Sequence, residues 1–213
     1  MMKLIGMLDS PYVRRVAISM KLLGTPFEHL NWSVGKDFER IRQYSPLGRV
    51  PALVMEDGDV LPDSAAMLDY LDEMAGPERA LLPSSGRERR AALRVIALAL
   101  GACEKGRDQL YEILYRPPEK RHEPWVERCR TQMHGALMEL ERATAIERAT
   151  PWLVDGRLTQ ADITTACIVT LLEDVLPDAF ESAAYPKLRA HVAHCESLPE
   201  FTATRLKWSA PST

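Results

Sequence analysis

Three short stretches of the chain carry side chains suited to chemistry. The first is Ser10-Pro11, directly after a short apolar run. Proline at the first helical position makes Ser10 the N-cap of the helix that follows. A helix N-terminus carries about half a positive charge, so a hydroxyl and amides gathered there suit an anion. A thiol bound beside Ser10 would be stabilised as its thiolate. The second stretch is Pro46-Leu47-Gly48-Arg49-Val50-Pro51, just ahead of a strand pattern. The third is Asp63-Ser64, where Ser64 reads as the cap of another helix and its hydroxyl as part of a second anion site. Taken singly, each has a plainer reading. Ser10 and Asp63-Ser64 are then ordinary caps, and Val50-Pro51 is trans, because an X-Pro bond is cis only about 5–6% of the time.

These residues need a frame. Lys3 to Leu8 reads as a buried strand. Pro11 opens a helix whose apolar residues Val13, Val16, Ala17, Met20 and Leu23 recur at three- and four-residue steps, and Gly24-Thr25-Pro26 ends it. Phe27 to Trp32 reads as a second strand, so the first unit is a parallel crossover. A short helix over Asp37 to Tyr44 follows. Ala52 to Met55 and Val60 to Leu61 form a hairpin around Asp57-Gly58. The Ser64 helix then carries Met67, Leu68, Leu71 and Met74. Gly76 to Gly86 reads as a linker. Beyond it only helical patterns remain: Arg87 to Tyr115, Trp125 to about Arg148, Thr159 to Leu172 and Pro186 to Leu198. The expectation is an α/β domain over residues 1–78, a linker over 79–85 and an all-helical domain over 86–213.

Composition excludes several classes. A formal net charge of −3 does not suggest a nucleic-acid surface. The N-terminal apolar stretch is too short for a signal peptide and no run is long enough to span a membrane, which fits a cytoplasmic protein. Cys103, Cys129, Cys167 and Cys195 form no Cys-x-x-Cys pair and read as buried free thiols. His191 and His194 stand three apart on a helix, but no third ligand accompanies them, and no metal is expected.

The order and spacing of Ser10-Pro-Tyr-Val-Arg-Arg-Val16, Ser45-Pro-Leu-Gly-Arg-Val-Pro-Ala-Leu53 and Leu61-Pro-Asp-Ser64 resemble the soluble glutathione transferase family. The resemblance is closest to bacterial serine-type members and covers nearly the whole chain. Ser45 stands where asparagine is usual and Asp63 where glutamate is common. It implies a thioredoxin-like domain followed by an all-α domain, glutathione as co-substrate, and a homodimer. It implies that Ser10 donates a hydrogen bond to the glutathione sulfur. Val50 pairs through its backbone with the cysteinyl unit, beside a cis Pro51. Asp63 holds the γ-glutamyl amine and Ser64 its carboxylate, while Arg49 and Lys36 are candidates for the glycyl carboxylate. The implied activity is transfer of the activated thiol to a small electrophile, or reduction of a peroxide. A binding protein on the same fold and a glutathione-dependent isomerase or lyase remain the alternatives.

Two more features stand beside the resemblance. Thr159 and Asp162 have capping-box spacing and Leu158 and Ile163 have staple spacing, a folding device for the second domain. Cys103, Arg107, Tyr111 and Tyr115 repeat every four residues on one helix. With Tyr12 they are candidates to line the electrophile pocket, and equally to be core or subunit contact.

Overall fold

The computed structural model describes residues 1–146 and 149–208. They divide into two compact units. The first takes in Met1–Ser84 and the described residues from Ser197 onward, and the second is Ser85–Glu196.

In the first unit, β1 (Met2–Ile5) leads to α1 (Pro11–Leu22), β2 (Phe27–Leu30), the short α2 (Phe38–Arg42), β3 (Ala52–Val54), β4 (Val60–Leu61) and α3 (Ser64–Ala75). The sheet order is β2-β1-β3-β4, with β1 and β2 parallel and the other pairs antiparallel. This is the expected thioredoxin-like pattern. β1 is central, so Leu4 and Ile5 are fully buried. The expected run to Leu8 stops at Ile5, because Gly6 leaves strand geometry with φ +131°.

The stretch from Gly76 to the helix that opens at Gly86, expected as a linker, has neither helix nor strand and is held in place. Asp72 accepts from the amides of Leu81 at 2.7 Å and Leu82 at 3.0 Å, and Ala80 and Leu81 are buried. The tail also returns. α9 (Pro199–Thr202) packs on α1, and the buried Arg14 donates to the Phe201 carbonyl at 2.9 Å. The chain after Ser197 was expected in the helical domain, yet its described part belongs to the compact body of the sheet. Residues 209–213 of that expected domain lie outside the described residues.

The second unit is helical: α4 (Gly86–Tyr115), α5 (Glu123–Ala145), α6 (Gln160–Val175), the single turn α7 (Pro177–Phe180) and α8 (Pro186–Glu196). The expected helix to Arg148 ends at Ala145, and Arg148 itself lies outside the described residues. α6 is buried almost all round, from Ala161 to Leu172. Gly106 makes its contact with α4 possible. A Cβ on Gly106 would sit 2.3 Å from the Leu172 side chain, so only hydrogen fits there.

Candidate functional site

The β1 end gathers two of the three chemical stretches. A Cβ on Gly6 would lie 2.6 Å from Val13 Cγ2 and 2.8 Å from Val50 Cβ. Glycine therefore lets the chain pass between the first turn of α1 and the segment ahead of β3. The register Ile5 to Ala52 sets Val50-Pro51 at the same sheet edge, and that peptide bond is cis. Val50 packs with Trp32 and Tyr44 against a core of Ile5, Ile41 and Ala52.

Ser10 is the N-cap of α1, with Pro11 first in the helix. Its side chain, however, makes no capping hydrogen bond. The helix closes instead through the Ser10 carbonyl, which accepts the Arg14 amide at 2.9 Å. The hydroxyl is thus not committed to the plain capping role, and the amides of the first turn face out of the helix. Its neighbour Asp9 went unnoticed in the sequence. Partial burial pushes the Asp9 carboxyl above its usual range, against the lowering effect of hydrogen bonds from the Ser10 amide and its own.

At α3 the cap lies one residue earlier than expected. Asp63 is the N-cap, and its Oδ1 accepts from Ala65 at 2.8 Å and Ala66 at 3.3 Å. Ser64 is already inside the helix and buried. Both are compatible with short polar side chains at a helix start, and only the backbone bend decides between them. Asp63 keeps Oδ2 for an external donor, and it is exposed. Ser64 Oγ accepts from Arg15 twice, from Nη2 at 2.7 Å and Nε at 3.2 Å. A hydroxyl has two acceptor sites and one proton, so Ser64 is left to act as a donor. Arg15, itself buried, ties α1 to α3 and so joins the third stretch to the first. The sequence did hold a signal for it: two arginines, Arg14 and Arg15, interrupt the apolar pattern of a helix that covers a sheet.

Lys36 and Arg49 are both exposed, and neither pairs with a carboxylate among the described residues. Tyr12 is half-buried on α1. In the second unit Cys103 is buried, while Tyr111 and Tyr115 are exposed and meet edge-on at 5.1 Å. The Arg107 guanidinium stands 6.0 Å from the Tyr111 ring centre. Tyr111 lines a cleft of about 400 Å³ with Asp108, Glu112, Tyr115, Arg116 and Trp125.

The remaining sequence motifs are structural. The capping box forms as expected: Thr159 accepts from Ala161, and Asp162 accepts from the Thr159 amide at 2.8 Å. Asp162 Oδ1 also takes the Leu153 amide at 2.9 Å and lies 3.4 Å from His191 Nε2, which is 3.6 Å from Cys195 Sγ. An acid, an imidazole and a thiol in one row suggest nucleophilic chemistry. Burial argues otherwise. Asp162 and Cys195 are inaccessible, and burial drives the Cys195 thiol far above its usual range, so no thiolate forms. All four cysteines are free and buried, as expected. Among the described residues no group of metal-ligating side chains assembles, and no helix is long and apolar enough to cross a membrane.

Comparisons with known proteins agree with this layout. Residues 4–79 match the glutathione S-transferase N-terminal domain and residues 109–199 the C-terminal domain. The GST-like protein YibF of Escherichia coli (strain K12) is 32% identical over 176 residues, spanning 80% of this chain and 82% of that protein. A glutathione S-transferase from Methylobacterium radiotolerans JCM 2831, solved in complex with glutathione sulfonate, superposes with a TM-score of 0.89 at 26% identity, covering 100% of this chain and 98% of the other. A glutathione transferase family member from Pseudomonas fluorescens Pf-5, solved with bound glutathione, gives 0.83 at 30% identity over 96% and 98%. With both domains matched and a relative aligned over most of its length, this chain belongs to the glutathione S-transferase family.

Proposed function

We propose that this protein is a serine-type glutathione transferase. The observation that carries the reading is the Ser10 hydroxyl: it sits at the N-terminus of α1 and makes no cap bond. That leaves it to donate to a sulfur anion. The glutathione and glutathione sulfonate complexes of the two bacterial relatives support the same ligand here. Lowering a thiol pKa by about two units takes about 2.7 kcal/mol. A charge-assisted hydrogen bond and a helix terminus together reach that magnitude.

The other roles follow from position. The Val50 backbone, beside Pro51, pairs with the cysteinyl unit. Asp63 Oδ2 accepts from the γ-glutamyl ammonium, and the Ser64 hydroxyl, loaded by Arg15, donates to its carboxylate. Arg49 and Lys36 are the cations offered to the glycyl carboxylate. The first domain spans residues 1–78, the linker is 79–85 and the helical domain begins at residue 86, with the chain after Ser197 returning to the body of the sheet. The reaction is attack of the thiolate on a small apolar electrophile, with peroxide reduction as a side activity. Tyr12, Cys103, Arg107 and Tyr111 are the residues assigned to the electrophile. The protein works in the cytoplasm, in detoxification, as a homodimer and without a metal.

Calorimetric titration with glutathione tests the binding roles. Asp63→Ala and Ser64→Ala should each weaken binding by about ten- to a hundredfold, since a hydrogen bond to a charged group is worth about 1.5–3 kcal/mol. Wild-type affinity in both variants would place the γ-glutamyl end elsewhere. Light scattering tests assembly: the expected mass is twice 24.0 kDa across micromolar concentrations, and a monomer throughout contradicts the dimer.

A further inference from the structure

The cleft between the C-terminal part of α4 and the start of α5 has an uneven polar lining. Its walls are aromatic: Tyr111 is 48% exposed, Tyr115 65% and Trp125 38%. Three large rings left open to water around one cleft form a surface for a flat partner. The charges around it are mostly committed. Asp108 pairs with Lys105 at 2.9 Å and Arg107 at 3.6 Å, and these cations lie over the rings of Trp125 and Tyr111. Glu112 differs. It is 9% exposed, its Oε1 pairs with Arg116 at 3.0 Å, and its Oε2 is buried with no hydrogen-bond partner.

A buried carboxylate oxygen without a donor is costly, and one that lines an open cleft can be satisfied by a ligand's donor or by water. The torsion at the end of a glutamate side chain is broad and nearly two-fold. Glu112 can therefore keep Arg116 on one oxygen and turn the other to an incoming donor. Arg116 is itself mostly exposed, so it can follow that turn. A cationic donor would have to approach beside Arg116, which already holds the other oxygen of the same carboxylate. A neutral donor meets no such repulsion.

From this the geometry points to a planar aromatic ligand bearing a neutral hydrogen-bond donor, a phenolic O–H or an aromatic N–H, with its ring among Tyr111, Tyr115 and Trp125 and its donor on Glu112. As a statement of electrophile class it rests on the transferase reading above, which assigns Arg107 and Tyr111 to that substrate. As a binding site it stands on the cleft alone.

The test is calorimetry on the full-length protein with two matched probes at mildly acidic pH: para-cyanophenol and its methyl ether. They share ring and shape and differ in the donor. The wild type should bind the phenol about tenfold more tightly than the ether, the value of one hydrogen bond to a charged group. Glu112→Gln should narrow that preference and Glu112→Leu should erase it. Tyr115→Ala should weaken both probes alike. Thermal melts identify any variant that fails to fold, and the wild-type preference stands as a test by itself. Equal affinity for the two probes, binding of neither, or a preference that survives Glu112→Leu in a folded protein overturns the proposal. Glutathione binding and transfer to an aromatic electrophile without a donor are measured on the same wild type. Their failure removes the transferase reading, whereas the probe preference decides the cleft independently.

Discussion

Ser10→Ala is expected to cut the rate of glutathione transfer near neutral pH by about ten- to a hundredfold. In the proposed reaction the thiolate is the attacking species, so the rate follows the fraction of bound glutathione that is ionised. Removing a donor to a charged sulfur forfeits about 1.5–3 kcal/mol of that ionisation. The bound thiol pKa rises by about one to two units. The loss should therefore shrink as pH rises and the thiolate forms unaided. Glutathione affinity should change much less, because the contacts proposed for Val50, Asp63 and Ser64 are left in place. The structure sharpens a second expectation. A lost N-cap costs about 1 kcal/mol, but the Ser10 side chain makes no cap bond. The thermal melt of Ser10→Ala should stay close to wild type. The measurement is a pH–rate profile of both proteins with a generic aromatic electrophile, beside the melts. Coincident profiles with a shifted melt would return Ser10 to a mere cap. A wild type that binds glutathione yet transfers it to no electrophile or peroxide would make this a binding protein of the family.

The largest effect on stability is expected from Asp162→Ala. The carboxylate is inaccessible and accepts from three donors: the Leu153 amide at 2.9 Å, the Thr159 amide at 2.8 Å and the Thr159 hydroxyl at 2.9 Å. Alanine leaves all three without their acceptor in a dry place. Each orphaned group costs about 1–3 kcal/mol, and relaxation recovers part of it. A loss of about 3–5 kcal/mol follows, a large share of the 5–15 kcal/mol that holds a typical domain. Denaturant unfolding with an unchanged slope reads it directly. Asp162→Asn keeps one acceptor oxygen and should lose less. A loss below about 1 kcal/mol in the alanine variant would mean that this box does not hold the start of α6.

The sequence by itself determined those features whose causes are local. Pro11 ends the freedom of the chain just after Ser10, so the start of α1 was legible. Asp57-Gly58 marked the β3–β4 hairpin, and Thr159 with Asp162 the start of α6. Each depends on one residue's φ or one side chain's reach. The order of the three chemical stretches was legible for the same reason, because each lies at an element boundary.

What the tertiary structure alone decided is how those boundaries meet. Gly6 shows why: its missing Cβ matters only because Val13 and Val50 close on it from seven and forty-four residues away. Arg15 reads as a misplaced charge until α3 brings Ser64 under its guanidinium. Asp63 took the cap expected of Ser64 because either can cap, and the extended backbone at Asp63 chose. The return of α9 to α1 buries Phe201 and pairs its carbonyl with a distant arginine, Arg14, a contact with no local signature. The free oxygen of Glu112 is likewise a property of its neighbours, since a glutamate on a helix reads as a solvated charge until packing buries it. Local geometry is written in neighbouring residues, whereas burial and partnership are properties of surfaces that only the fold brings together.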